Sequence, residues 1–373
     1  SSGTDVAPET LADTQIVYGA DNGLTLINMR GLDFDDPLWD DLLDELTADE
    51  IYNTIGVSGY GIEYIDSVEK PFNIDADTAA GLLYGGTGAM FPNAMTLAQT
   101  WNLDLASEYG TMIGNEGLLG GADGWYAPSM NIHRTPYSGR NGEYYSEDAF
   151  LSGAVASREV YGAASKGMYT YIKHFALNDQ ETNRCAFLLT YSNEQAIREI
   201  YLKPFELCIK NFDGTQIAVM SSFNWIGTVP ACSNEDTLTT ILRNEWGFQG
   251  MVITDYDGSY GYMITDHCVR TGNDLMLGFS SQASNQLTNT ESATLNNALR
   301  TSCKNIMYTI ANSGYYTNTT DDSGMSNMTK LFVTIDVVTV LLVVLCMALV
   351  IVRYRKKHAK AAAEVTPEEK KEE

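Results

Sequence analysis

The sequence predicts an α/β chain: a (β/α)8-type, TIM-like barrel followed by a single transmembrane helix. Three observations carry this. From about Asp36 to about Asn312, short apolar segments alternate with amphipathic helical stretches, and strand–helix–strand order, repeated, makes a parallel sheet with helices outside. That region has the length that eight such units need. Beyond it, Leu331–Val352 is a run of 22 residues whose only charge is Asp336; as a helix it is roughly 33 Å long, enough to cross a bilayer.

The elements follow in chain order. Residues 1–35 read as a lead-in, of which Ser1–Thr14 is a polar linker. Asp36-Pro37 opens a helix with Pro at the first helical position, and Leu38, Leu42, Leu43 and Leu46 share one face. Thr47 with Glu50 makes a capping box for the next helix. Candidate strands are Pro71–Ile74, Gly124–Asn131, Met168–Phe175, Ile217–Phe223, Gly250–Thr254 and Asp274–Gly278. Ser192 and Gln195 box the start of a helix presenting Ile197, Ile200, Tyr201 and Cys208, which Pro204 should kink. Asn234 caps a helix with Leu238, Ile241 and Leu242 inward, ending at Gly247. The domain therefore spans 36–312, with a juxtamembrane linker over 313–330, the span over 331–352 and a charged tail over 353–373.

Charge narrows the partners. The 373 residues hold 23 Lys and Arg against 48 Asp and Glu, a net charge of −25. A tail of net +2 begins at Arg353, so the remainder carries −27. Nucleic acid is excluded, because phosphate binding needs clustered Lys and Arg. A neutral, polyhydroxylated or cationic partner fits better. Arg353, Arg355, Lys356, Lys357 and Lys360 follow the apolar run directly. By the positive-inside rule the tail is cytoplasmic and the main domain extracellular, a single-pass protein of the cell membrane. Asp336 is costly in lipid but lies near the outer end, within reach of the interface. An outward domain must be exported, so a chain opening on Ser1 is expected to be the mature or partial form of a longer product.

Of six Cys, Cys346 falls in the span. Cys185, Cys208, Cys232, Cys268 and Cys303 lack metal-ligand spacing and read as small buried thiols. No metal cluster, phosphate loop or dinucleotide fingerprint is present, so neither metal nor cofactor is expected; the Gly-rich Gly59–Ser67 lacks the G-x-G-x-x-G order. Barrel sites gather at the C-terminal ends of strands. The polar residues at those ends are Asp75 and Asp77, His133 and Arg134, Lys173 and His174, Ser221, Ser222 and Asn224, and Asp255 and Tyr256. Carboxylates, a lysine, a histidine and aromatics together suit a sugar.

Six segments, YAPSMNIHRTPYSGRNGEYYSED, YIKHFALNDQETNR, IREIYLKPFE, AVMSSFNWIGTVPAC, ILRNEWGFQGMVITDYDG and TGNDLMLG, occur in this order. Together they resemble the barrel domain of glycoside hydrolase family 3, the β-glucosidase-like enzymes, from about Leu38 to about Phe279. The resemblance implies a retaining exo-β-glycosidase that hydrolyses terminal β-D-glycosyl residues of β-linked oligosaccharides or glycosides. The family's nucleophile falls on Asp255 in VITDYDG. Lys173 and His174 match the pair that holds sugar hydroxyls, with a buried ion-pair role as the alternative for Lys173. Arg140 matches the family's sugar-gripping arginine, against a salt bridge to Glu143 or Glu147. Glu147 and Asp148 read as loop anchors.

Asp77 matches the aspartate of the family's Asp-Gly-Pro turn, with Asp75 as its competitor. The sequence departs there, with Thr78 and Ala79 instead of Gly and Pro, so an altered turn is expected. Tyr256 stands where the family often has an aromatic platform. Phe223 stands where many members carry Tyr. Met220 and Trp225 either wall the pocket or belong to the core. In the β-glucosidase type the general acid is a Glu on a second α/β sandwich domain, which is expected upstream or on a separate chain. The subtype with an Asp-His dyad after a KHFPGHG segment is excluded, because this chain reads KHFALNDQETN. The competing expectation, from another class, is a catalytically idle carbohydrate-binding surface protein derived from a hydrolase barrel.

Overall fold

The computed structural model describes residues 16–83, 88–257, 260–278, 287, 292–314 and 327–364. The linker Ser1–Thr14, linker positions 315–326 and the tail beyond 364 lie outside the described residues. The chain divides into two compact units, Ser1–Asn318 and Thr319–Glu373.

In the first unit, α1 (Leu38–Glu45) buries Trp39, Leu42 and Leu43. Pro37 stands one place before the helix, not inside it, and Asp36 Oδ1 accepts the Leu38 N–H at 2.9 Å. The Thr47–Glu50 box caps α2 (Ala48–Gly56) as the spacing predicts. Then come β1 (Gly61–Ile62), β2 (Asn73–Asp77), α3 (Ala94–Ala98), α4 (Leu103–Gly120), β3 (Gly124–Tyr126), α5 (Ala149–Ala164), β4 (Tyr169–Phe175) and β5 (Leu189–Thr190). Asp148 anchors α5, its side chain accepting the Leu151 N–H.

The next helical stretch corrects two expectations. Asn193, not Ser192, caps it, taking the Ala196 N–H; two good capping residues stand side by side and the geometry uses the second. Pro204 does not kink one helix. A wide π-type turn at Ile197–Tyr201 ends at Leu202, and a new helix, Lys203–Asn211, starts with Pro204 in its first turn, where a missing N–H leaves nothing unsatisfied. After β6 (Ile217–Ser221), β7 (Trp225–Ile226) and β8 (Val229–Pro230), Asn234 Oδ1 accepts the Thr237 N–H at 3.0 Å ahead of the helix Asp236–Glu245. That helix buries Leu238, Ile241 and Leu242 and runs out at Gly247, whose φ is +73°. β9 (Val252–Ile253) and the helices Thr265–Arg270 and Ala293–Ala311 complete the unit.

The main sheet has the order β1-β2-β3-β4-β6-β9. β1 is antiparallel to β2 and every other pair is parallel. A parallel bridge joins Ile253 to Leu275. The sheet curls, and past its last strand Met276 N donates to Ile55 O, near the end of α2, at 3.0 Å, while Ser58 N donates to Met276 O at 3.2 Å. The described residues thus give a curled α/β sheet of six strands in place of eight parallel ones. Asp274–Gly278 adds only one bridge, because the Leu277 N–H goes to the Thr254 hydroxyl at 2.9 Å and not to a neighbouring backbone. β5, β7 and β8 form a separate small sheet.

Side chains alternate across the curl, as strand geometry requires. In β6, Ile217 and Val219 join the outer core against α4, α5 and Lys203–Asn211, while Ala218 and Met220 join the inner one. Met220 is therefore core and not pocket wall. Gly124 in β3 faces Asp75 and Tyr169 so closely that a Cβ there would collide with both.

In the second unit, Asn327–Glu364 is one continuous helix. Its stretch Val333–Lys357 is long and apolar enough to cross a membrane by length and composition.

Candidate active site

Asp255 follows β9 and is 7 % exposed. Its Oδ1 accepts the backbone N–H of Tyr256 at 2.8 Å. Its Oδ2 is buried without a hydrogen-bond partner. Two groups stand near that oxygen, His174 Nε2 at 3.6 Å and Arg184 Nη1 at 3.7 Å. Burial pushes the Asp255 carboxyl above the ordinary aspartate range, while Arg140, Arg184, the Tyr256 N–H and Lys173 hold it back.

His174 lies near the end of β4 and is fully enclosed. Burial, then Arg140, Lys173 and Arg184, drive its pKa well below the ordinary value, so the ring is neutral. Arg140 Nη2 lies 3.1 Å from His174 Nε2. A guanidinium only donates, so Nε2 accepts and the proton sits on Nδ1. Nδ1 faces the Tyr144 hydroxyl at 3.4 Å, and that hydroxyl donates to Asn178 O at 3.1 Å. The imidazole is thus fixed by both nitrogens.

Arg140 is held by Glu143, with Nε to Oε2 at 2.8 Å, and lies 3.2 Å from Glu181 Oε1. The salt-bridge alternative for Arg140 therefore holds with Glu143 and not with Glu147. It coexists with the approach to His174. Glu143 also accepts from the Ser129 hydroxyl at 2.8 Å. Burial opposes its charge, but Arg140 and Lys173 carry its pKa below the ordinary value. Lys173 Nζ donates to Asp77 Oδ1 at 2.9 Å and stands 3.8 Å from Glu143 Oε1. Burial likewise opposes the charge of Asp77, and Lys173 and the Thr78 N–H bring its pKa below the ordinary value.

Thr78, at the departure from the Asp-Gly-Pro pattern, has a φ of +108°. The turn keeps a backbone conformation that suits glycine, at a cost of about 1–3 kcal/mol for a threonine. The Asp77 carboxylate stays turned toward Lys173. A cavity of about 410 Å³ opens over Asp77, Asn93, Arg140, Glu143 and Lys173. A larger cleft of about 660 Å³, lined by Thr190, Tyr191, Arg198 and Asp236 among others, contains none of these residues.

The other strand-end residues divide. Asp75 is walled off below the site and bonded to three tyrosines. His133 Nε2 meets Tyr144 O at 3.0 Å, and Arg134 pairs with Asp179 at 3.4 Å. Ser221 and Ser222 hydrogen-bond backbone and neighbouring amides. Asn224 ties β7 to Ala176 O and Thr190. Trp225 packs with Phe187 and Tyr262 in an aromatic cluster.

Sequence reasoning missed Arg184, and it set Glu143 and Glu181 no part in the site. Arg184 stacks on the Phe223 ring with its guanidinium carbon 4.3 Å from the centroid, and pairs with Glu181 at 3.2 Å. The signal was present in the NDQETNR run beside Lys173-His174. Four carboxylates, Asp77, Glu143, Glu181 and Asp255, gather around the cations Arg140, Lys173 and Arg184. The first three are each paired to a cation.

The pattern for the glycosyl hydrolase family 3 N-terminal domain matches residues 63–284. Beta-glucosidase B of Emericella nidulans is 43 % identical over 176 residues, 47 % of this chain and 20 % of that protein. A beta-glucosidase of Rhizobium radiobacter is 36 % identical over 246 residues, 63 % of this chain and 29 % of that protein. Among solved structures, beta-glucosidase 3B from Thermotoga neapolitana in complex with glucose superposes with a TM-score of 0.68 at 33 % identity, covering 75 % of this chain and 43 % of that one. A beta-glucosidase from Paenibacillus barengoltzii gives a TM-score of 0.69 at 29 % identity, covering 82 % and 36 %. The chain thus spans less than a third of the length of these curated relatives. With more than half its length matched by the family pattern, the chain belongs to glycosyl hydrolase family 3.

Proposed function

We propose that this chain is the sugar-gripping, nucleophile-bearing part of a retaining exo-β-glycosidase of the β-glucosidase type. Asp255 attacks the anomeric carbon through Oδ2. Lys173, Arg140 and Asp77 hold the hydroxyls of the terminal glycosyl unit, and Tyr256 covers a ring face. The observation that carries the reading is the buried, unpartnered Oδ2 of Asp255, ringed by Arg140, Arg184 and His174. A carboxylate oxygen so placed has no hydrogen bond to lose when it forms a bond to carbon. The Lys173 ammonium and the fixed guanidinium of Arg140 offer directed partners for hydroxyls, and the neutral His174 acts by holding Arg140 in place.

Retaining chemistry needs a second carboxyl about 5–5.5 Å away that starts protonated. Asp77 and Glu143 are held on the ionised side by Lys173 and Arg140, and Glu181 lies between Arg140 and Arg184. This favours a general acid from outside the described residues, on a second α/β sandwich domain. The same observation favours the second reading, a carbohydrate-binding surface protein without turnover. The reading extends to the anchor: Val333–Lys357 spans the cell membrane once, with the sugar site outside and the basic tail in the cytoplasm.

The test uses an aryl β-glucoside whose leaving group needs no protonation. The chain should hydrolyse it, and Asp255→Ala should lower turnover on the order of 10⁴-fold or more. Turnover equal in both proteins overturns the assignment of Asp255. No turnover in either, with saturable sugar binding, supports the second reading.

A further inference from the structure

Beside the candidate site lies a small apolar cluster that the sugar chemistry does not use. Phe223, Cys232, Tyr262, Met263, Cys268 and Met276 pack together and are buried. Cys232 sits in the turn Ala231–Ser233 that follows β8, and Cys268 in the helix Thr265–Arg270. Both side chains are 0 % exposed, both thiols are free, and the turn and the helix that carry them pack against each other. The other cysteines of this unit are placed elsewhere. Cys208 belongs to the outer core and Cys303 to the inner one, while Cys185 is half-buried at the rim of the small cluster.

We infer that Cys232 and Cys268 form a dithiol–disulfide pair, closed by exchange with a low-molecular-weight disulfide such as oxidised glutathione. The thiolate of one cysteine attacks a sulfur of the oxidant and releases one thiolate of it, leaving a mixed disulfide. The second cysteine, deprotonated, attacks the protein sulfur of that mixed disulfide and releases the second. The two protons lost by the cysteines are taken up by the two released thiolates, and the two electrons reduce the oxidant to two thiols.

Geometry and chemistry set when this occurs. The contact with Cys232, then burial and the nearby Asp257, hold the Cys268 thiol well above its ordinary pKa. A thiol kept protonated in an apolar cluster exchanges slowly. The bond therefore forms while the chain folds, before the cluster closes. It would join the two segments that flank β9, Asp255 and Tyr256, closing a loop of about 35 residues around the nucleophile. This inference does not rest on the hydrolase reading.

The experiment produces the full chain in detergent by cell-free synthesis, once with a reducing thiol and once with oxidised glutathione. Free thiols are alkylated under denaturing conditions, and tryptic peptides are mapped without reduction. Cys232 falls in the peptide over 211–243 and Cys268 in that over 244–270. The oxidised sample should show these two peptides joined, lighter by two hydrogens than their sum. It should also melt about 5–10 °C above the reduced one. Cys268→Ala should melt with the reduced wild type under both conditions and yield no joined peptide. Alkylation of both cysteines in the oxidised sample, or a link from either to Cys185, overturns the pairing. A joined peptide in a protein that melts lower than the reduced form marks a non-native pairing and overturns it equally.

Discussion

Asp75 and Asp77 stand two residues apart on β2, so both side chains project to the same face of the sheet. Their surroundings are opposite. Asp75 is sealed among aromatic rings and accepts from Tyr169 at 2.7 Å, Tyr171 at 3.0 Å and Tyr126 at 3.3 Å. Burial outweighs those three donors and pushes its pKa up to about 7. Asp77, one step nearer the strand end, meets the Lys173 ammonium at the rim of an open cavity, and its pKa falls. A rise of two residues, about 6.6 Å along a strand, separates a carboxyl that holds the sheet together from one free to grip a ligand. Position along the strand, more than residue type, divides scaffold from site.

The sharpest way to break this contrast is Asp75→Ala. It leaves three buried hydroxyl donors without their acceptor and should destabilise the first unit by roughly 3–5 kcal/mol, read by denaturant unfolding. Loss of glycoside turnover without loss of stability would place Asp75 in the site after all.

Asp77→Ala should do the reverse. Removing one charge-assisted contact should lower kcat/KM on an aryl β-glucoside about 10- to 100-fold, with the melting temperature near that of the wild type. An unchanged kcat/KM with a lowered melting temperature would make Asp77 a structural partner of Lys173 only.

The smallest effect is the pH dependence of stability. The folded-state value of Asp75 lies above the ~3.9 of an unfolded aspartate. Between about pH 4 and about pH 7 the native chain therefore holds a proton that the unfolded chain has lost, and stability falls as pH rises. Lys70, buried opposite and itself lowered to about 7 by burial, and Asp123 share this environment. Melting the wild type beside Asp75→Asn across this range isolates the contribution of Asp75. The wild type should lose ground to the variant as pH rises, and parallel curves would contradict the assigned environment.

The same distinction governs what the sequence made legible. Local devices were readable: the Thr47–Glu50 box and the Asn234 cap both depend on residues a few places apart. β1, two residues long and antiparallel, carries too short a pattern to be read. The cap at Asn193 was missed by one place because Ser192 offers the same chemistry. Family-patterned positions did converge, since Arg140, Lys173, His174 and Asp255 share one ion network. Arg184 and Glu181 joined it from a loop with no periodicity, and only the folded chain shows that Arg184 stacks on Phe223. Sequence alone does not separate the two aspartates of β2, because strand spacing puts both on one face and does not say where the strand ends.

The central claim is that Asp255 bonds to the anomeric carbon. A 2-deoxy-2-fluoro β-glucoside with an activated leaving group traps such a bond, because the fluorine slows its hydrolysis. Incubation followed by peptide mass mapping should find one sugar per chain, attached to Asp255 in the peptide over 244–270, and none in Asp255→Ala. A label on another carboxylate, or saturable sugar binding with no label at all, would contradict the account.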